Sequence, residues 1–280
     1  MKIKEALING GKEITYINAK IIMKYVLNKP ENYLVINSEE NLTKQNEESF
    51  FEFVDKIKKG TPLQYITNEQ EFMGEKFFVN EDVLIPQPDT EILVEKAIEF
   101  IKNYDNKKEN IKVLDLCTGS GAIAISIKKY LDMININSEI IASDISEKAI
   151  KIAKKNADKI LADNNIKFIK SDLFEDMDDY SNEDYRFDFI ISNPPYIETD
   201  IISNLATDVQ KEPLIALDGG KDGLKFYREI NKNIKNYLKA DGYLLLEIGY
   251  DQKKNVMDIF KGSECIKDYT GNDRVIIWKN

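Results

Sequence analysis

The chain has 280 residues, 42% of them hydrophobic, and a net charge of −10, which is enough for a sizeable core and one or two domains. The acidic balance, with only Arg186, Arg228 and Arg274 as arginines, disfavours direct nucleic-acid binding, which draws on clustered Lys and Arg. The absence of histidine excludes the usual Ser-His-Asp and Cys-His arrangements and HExxH zinc sites, so no metal is expected and the chemistry falls to a cofactor.

The first 60 residues read as helices. In INAKIIMKYVLN, residues Ala19, Ile22, Met23 and Val26 recur at helical spacing. In ESFFEFVDKIKKG, Phe50, Phe53, Val54 and Ile57 do the same, and Gly60 is placed to end the helix. Residues 1–62 are therefore expected to form a small helical domain. Residues 63–86 carry a linking β-hairpin with its turn near Met73-Gly74. In IPQPDTEILVEKAIEFI a helix follows, with Asp89 or Thr90 as the expected cap and Ile92, Leu93, Ala97 and Ile101 on its apolar side.

From residue 111 strands and helices alternate. The strand candidates are KVLDLC (112–117), EIIASDI (139–145), IKFIKSDL (166–173), FDFIISN (187–193), YLLLEIG (243–249) and RVIIWK (274–279). The first four are short apolar runs, as in central strands covered on both faces. Helical segments AIAISIKKYL, SEKAIKIAKKNADKIL and DGLKFYREINKNIKNYL lie between strands. This alternation predicts an α/β, doubly wound, mostly parallel sheet over residues 87–280, with an antiparallel piece at its end. No stretch of about 20 apolar residues occurs, and MKIKEALING lacks a signal peptide's apolar core. Cys117 and Cys265 form no CxxC pair. A cytoplasmic protein with no membrane partner is expected.

Four strand exits carry the candidate chemistry. DLCTGSG places Asp115, Cys117, Thr118, Gly119, Ser120 and Gly121 at a glycine-rich turn before a helix N-terminus. Asp144 ends the second strand, where a carboxylate can accept from ribose hydroxyls. Asp172 follows the third with Leu173 and Phe174, a combination suited to an adenine amino group and ring. SNPPY closes the fourth. Pro194 and Pro195 remove two N–H donors and leave fixed carbonyls, and Asn193 adds a side-chain oxygen. Tyr196 offers a flat ring. Such a corner suits a planar group bearing NH2. Cys117, without a histidine partner, reads as a small buried residue rather than a nucleophile.

Together, DLCTGSG, ASDIS, KSDLF and SNPPYI resemble the class I S-adenosylmethionine-dependent methyltransferases acting on planar amino groups. GTPLQYI, LIPQPDTEILVE, EPLIALDGGKDGL and GNDRVI narrow the resemblance to the release factor glutamine methyltransferase family. It implies a Rossmann-like seven-stranded domain and methyl transfer from S-adenosylmethionine, leaving S-adenosylhomocysteine. The implied acceptor is the side-chain amide nitrogen of the glutamine in the GGQ motif of peptide chain release factors, which are then the partners. It also implies that residues 117–121, Asp144, Leu173 and Asn193 contact the cofactor, and that Asn193, Pro194, Pro195 and Tyr196 bind the glutamine. Gln87 stands where the family usually has Arg, and Cys117 where it often has Gly. A nucleic-acid amino-group methyltransferase, acting on adenine N6 or guanine N2, is the alternative. The lysines Lys148, Lys151, Lys155 and Lys159 would have to serve it, although they read more simply as a solvated helix face.

Overall fold

The computed structural model describes residues 1–104, 110–183 and 185–280. They form two compact units, Met1–Glu69 with Leu205–Lys211, and Gln70–Asn204 with Glu212–Asn280.

The first unit is helical: α1 (Ile3–Ile14), α2 (Tyr16–Leu27), α3 (Glu31–Ile36), α4 (Lys44–Lys58) and α5 (Leu63–Thr67). Helix α1 buries Ile3, Ala6, Leu7, Gly10 and Ile14, one face at helical spacing. Against it lie Ala19, Ile22 and Met23 of α2 and Phe50 and Val54 of α4. Val26, Phe53 and Ile57, expected inside, are half-buried at the edge of this core. Thr15 and Thr43 cap α2 and α4 by accepting from the backbones of Asn18 and Asn46. Helix α4 ends as its sequence implies. Gly60 takes φ +89, its N–H donates to Ile57 O and the Thr61 N–H to Lys56 O, the paired bonds of a Schellman motif.

The second unit opens with a hairpin of β1 (Gln70–Phe72) and β2 (Glu75–Phe77), turning at Met73 and Gly74 as expected. Helix α6 (Pro88–Asn103) follows. Its cap is Gln87, not Asp89 or Thr90. Proline supplies a preset φ and lacks an N–H that the first turn leaves unpaired anyway, so it starts the helix two or three residues earlier. Next come β3 (Ile111–Leu116), α7 (Ala122–Met133), β4 (Ser138–Asp144), α8 (Glu147–Ile160), β5 (Lys167–Lys170) and β6 (Phe187–Ser192). The chain ends with α9 (Leu214–Leu217), α10 (Lys225–Asn233), β7 (Leu238–Glu247), α11 (Lys253–Ile259), β8 (Glu264–Lys267) and β9 (Asp273–Lys279).

Seven strands form one sheet in the order β5-β4-β3-β6-β7-β9-β8. The first five run parallel, and β9 and β8 add antiparallel pairs at one end. Adjacent residues in each central strand point to opposite faces. Val113, Ile140, Phe189 and Leu245 join Leu93, Ala97 and Ile125 of α6 and α7 in one core. Leu114, Ile141, Ile190 and Leu244 join Tyr227, Ile230 and Val256 of α10 and α11 in the other. Strand β8 was not foreseen. It is four residues long with both ends exposed, so it carries little apolar signal. Strand β5 stops at Lys170, which puts Asp172 and Leu173 in the turn beyond it rather than on the strand.

The strand order reverses beside β3: the chain moves outward through β4 and β5, then returns to place β6 on the other flank. Leu116 pairs with both Ser143 and Ser192, so the strand exits share one level. Ligands of open α/β sheets bind at such a switch point.

One contact in the first unit makes a direct test. A Cβ on Gly10 would stand 2.7 Å from Phe50 Cζ and 2.9 Å from Cε1. Gly10→Ala is expected to lower stability by about 1 kcal/mol or more through overpacking, against alanine's better helix propensity. Urea unfolding read by circular dichroism measures it, and an unchanged or raised midpoint contradicts the packing.

Candidate active site

The turn after β3 is held from beneath. Asp115 is fully buried, and its Oδ2 accepts from Thr118 Oγ1 at 2.6 Å and Ala124 N at 3.2 Å. Burial pushes its pKa up to about 7. Gly121 caps α7 at φ +82, and a Cβ there would lie 3.1 Å from Ala153 Cβ, so the turn packs closely on α8. From α8, Asn156 Nδ2 donates to Ser120 O and Phe78 O while its Oδ1 accepts from Phe78 N. One buried side chain thus ties the turn to the end of the hairpin.

Above the turn lies a cavity of about 210 Å³. Of the residues singled out in the sequence, Cys117, Gly119, Asp144, Asp172, Leu173, Asn193 and Pro195 line it. Asp115, Thr118 and Ser120 are buried in the turn's support instead. Gly121, Pro194 and Tyr196 also lie off the cavity wall, and Phe174 stacks on Tyr237 in the core. A Cβ on Gly119 would meet no protein atom within 4 Å, so that wall is open to a ligand. Asp144 Oδ2 accepts from Gly119 N and Oδ1 from Ser146 N, both at 2.8 Å. Burial raises its pKa, and these two bonds oppose the rise. Cys117 is half-buried on this wall rather than fully buried; burial still pushes its thiol up, with the charge of Asp144 adding to it, which disfavours the thiolate. The remaining wall comes from Asp82, Val83 and Leu84, from Ile145, Ser146, Ala149 and Ser171, and from Pro213, Ile215, Ala216, Lys225 and Phe226. Glu212 joins the segment 82–84 to the segment 213–216 by accepting from Ile85 N at 2.8 Å.

The proline corner is clamped from behind. Ile197 N donates to Leu217 O, and Gly219 N donates to Ile197 O. Gln252 Nε2 donates to Tyr196 O at 2.9 Å. A Cβ on Gly219 would sit 2.7 Å from Tyr196 Cα, and one on Gly223 2.4 Å from Tyr196 O, so only glycine lets this segment lie against the corner. Asn193 Nδ2 donates to Thr90 Oγ1 at 3.2 Å. Tyr196 Oη donates to Glu247 Oε1 at 3.4 Å. Neither Asn193 Oδ1 nor Pro194 O accepts a hydrogen bond among the described residues.

Glu247 and Thr90 escaped the sequence reading. Glu247 is 2% exposed at the end of β7, and a carboxylate inside the apolar run YLLLEIG was the available signal. Burial pushes its pKa up to about 7, opposed by hydrogen bonding from Thr90, the charge of Arg274 and hydrogen bonding from Tyr196. Arg274 is itself buried and bonded to Asp268 and Asp89. The α8 lysines are engaged: Lys148 with Asp82, Lys151 with Glu147, Lys159 with Lys76 O, and Lys155 over the Phe78 ring. Gln87 is exposed, and its Nε2 donates to Ile85 O.

Residues 107–274 match the methyltransferase domain family, and residues 2–67 match the PrmC N-terminal domain family. The release factor glutamine methyltransferase of Clostridium acetobutylicum is 40% identical over 99% of this chain and 98% of its own. That of Clostridium botulinum is 42% identical over the same shares. The chain belongs to the release factor glutamine methyltransferase family. A bifunctional methyltransferase of Rickettsia felis is 35% identical over 99% of this chain and 56% of its own length. Among solved structures, the hMettl16 catalytic domain in complex with an RNA hairpin covers 77% of this chain and 79% of its own, with a TM-score of 0.55 and 16% identity. That likeness is one of fold. Family membership and fold together make the chain a class I methyltransferase on a Rossmann-like sheet.

The family's EPLIALDGGKDGL and GNDRVI segments acquire physical roles here: a wall latch at Glu212, a close-packed clamp at Gly219 and Gly223, and an Arg274 charge behind β7. Glu247 also makes stability pH-dependent. A carboxyl whose folded pKa lies above its unfolded value binds more protons when folded. Its contribution is full below about pH 4.5 and is lost as pH rises through about 7. The stability difference between wild type and Glu247→Gln should therefore move against wild type by roughly 2 kcal/mol from pH 5 to pH 8. Urea unfolding of both at the two pH values reads it, and a constant difference refutes the assignment.

Proposed function

We propose that this chain transfers a methyl group from S-adenosylmethionine to the side-chain amide nitrogen of the glutamine in the GGQ motif of peptide chain release factors. Family membership across the whole chain supports the reaction. The observation that carries the site assignment is Asn193 on the cavity wall, with its side-chain oxygen and the carbonyl of the next residue, Pro194, accepting no hydrogen bond among the described residues.

The residues present fit the methyl donor. Gly119 leaves open space on the turn, Asp144 sits where ribose hydroxyls can donate, and Asp172 and Leu173 flank the remaining wall. Bound there, the donor supplies an electron-poor methyl carbon and departs as S-adenosylhomocysteine. The chain's own residues do the rest. An amide nitrogen is a poor nucleophile because its lone pair is delocalised into the carbonyl. In this reading Asn193 Oδ1 and Pro194 O accept its two hydrogens and hold the lone pair toward the cavity, while Pro195 and Tyr196 stiffen the corner. As positive charge grows on nitrogen, the same oxygens stabilise it. The protonated N-methyl amide then releases one proton to solvent water, so no histidine is required beforehand.

This reading includes the division into a helical domain (1–62), a linking hairpin (63–86) and a methyl-transfer domain (87–280). The partner is a protein, and the cytoplasm, where release factors work, is the place of action. No described helix is long and apolar enough to cross a membrane, and no metal-ligating cluster occurs among the described residues. The engaged lysines of α8 give a nucleic-acid substrate no support.

Incubating the chain with a release factor and the donor should add one methyl to the GGQ glutamine, read by peptide mass spectrometry. Asn193→Ala should cut turnover about 100-fold or more, the scale of one preorganised polar group, with donor affinity falling less. Methylation of DNA or RNA but not of release factor, or near-normal turnover by the variant, overturns the reading.

A further inference from the structure

The proline corner is held at both ends by residues distant in sequence. At its first residue, Asn193 Nδ2 donates to Thr90 Oγ1 at 3.2 Å. At its last, Tyr196 Oη donates to Glu247 Oε1 at 3.4 Å. A carboxyl oxygen accepts from a hydroxyl whether or not the group is ionised, so this second bond does not depend on the charge of Glu247. Thr90 stands in the first turn of α6, and Glu247 ends β7. The corner is therefore placed only as well as the start of α6 is placed relative to the end of β7. Apolar packing holds α6 against the sheet, but such packing is non-directional.

One side chain ties the two supports together. Arg274, in β9, is 7% exposed. Its Nη2 pairs with Asp89 Oδ2 at 2.9 Å, one residue before Thr90. Its Nη1 donates to Ile248 O at 3.4 Å, one residue after Glu247. Its backbone O accepts from Ile248 N at 2.9 Å. The guanidinium is also anchored from a third side, because Nε and Nη2 both donate to Asp268 Oδ2, at 3.2 and 3.0 Å. Asp268 is set in turn by the chain that follows it, its Oδ1 accepting from Thr270 N, Thr270 Oγ1 and Asn272 N. A guanidinium presents its donors as one rigid planar fork, so fixing one edge aims the others. A lysine ammonium is a point charge on a flexible stem and would aim none.

We propose that Arg274 is the positioning residue of the substrate corner. It fixes Asp89 relative to Ile248, and through the neighbouring Thr90 and Glu247 it fixes where Asn193 and Tyr196 stand. Asp268 anchors this clamp and Asp89 is its outer arm. The inference rests on the methyl-acceptor reading above and adds to it what aims the corner. A misplacement of about 1 Å can cost two orders of magnitude in rate, so the clamp acts on turnover. The donor cavity has separate supports at Asp144 and Asn156, so donor binding is spared.

The test reads turnover per donor-binding molecule, so that a loss of folded protein does not count. Calorimetry with the donor gives its affinity and stoichiometry, and methylation of release factor gives kcat. Arg274→Lys keeps the charge and removes the fork. Its kcat should fall roughly 10- to 100-fold with donor affinity kept. Removing the guanidinium also strands the buried Asp268, so should that variant fail to fold, Asp89 decides. The Asp89 side chain is half-exposed, and its replacement leaves the core intact. Asp89→Ala removes the outer arm and should lower kcat roughly 10-fold. Asp89→Asn keeps an oxygen that accepts from Nη2 and should recover most of that loss. Unchanged kcat in Asp89→Ala overturns the proposal whatever Arg274→Lys does. So does an Asp89→Asn variant as impaired as Asp89→Ala. A fall in kcat matched by an equal loss of donor affinity also overturns it, because that marks general disruption of the site. A wild type that methylates no release factor sinks the acceptor reading, and the clamp with it. A wild type that does, with kcat unmoved in the variants, sinks the clamp alone.

Discussion

The reversal of strand order beside β3 is the constraint from which the rest follows. Chain leaving β3 turns toward β4, while chain arriving at β6 comes from the far side of the sheet. Neither connection crosses the space between the two exits. A parallel sheet buries its faces under helices and leaves its carboxyl edge open only at such a point. Because Leu116, Ser143 and Ser192 lie in register, the groups that follow them arrive at one height without any adjustment by the loops. The same register sets Leu246 against Ser192, which brings Glu247 level with Asn193.

The second theme is acidic chemistry without a matching base. Asp115, Asp144 and Glu247 stand at or near three strand exits, and burial raises the pKa of each. Asp144 takes two backbone N–H groups. Asp115 takes one backbone N–H and the Thr118 hydroxyl. Both brace the glycine-rich turn, whereas Glu247 takes the Tyr196 hydroxyl and so braces the proline corner. None has a lysine as its direct partner among the described residues, and Lys225 stands on the cavity wall.

Much of this was legible in the sequence. The four apolar runs that became β3 to β6 announce a covered parallel sheet, and the glycines and prolines at their exits mark where the chain must bend or stiffen. Local rules read these features because the physics is local: a proline lacks its N–H wherever it stands. What escaped was relational. Thr90 looks like a helix cap until Pro88 is seen to start the helix and the threonine hydroxyl is found facing Asn193, 103 positions away. Glu247 looks like a strand end until its burial is known. Gly219 and Gly223 look like turn residues until the backbone of Tyr196 is found in the space a side chain would take. The failure at β8 differs in kind, since a short exposed edge strand carries almost no hydrophobic pattern.

Cys117 gives the cavity a sulfur atom close to where an alkylating ligand would sit. A thiolate there would be a better methyl acceptor than any amide, and the protein would then consume the donor by labelling itself. Cys117 is half-buried on that wall, and burial, with the charge of Asp144 adding to it, raises the pKa of its thiol. The carboxylate that shapes the binding edge thus also works against a thiolate at the one sulfur the cavity wall presents among the described residues. The intact mass of protein stored with its donor would expose any lapse in that protection.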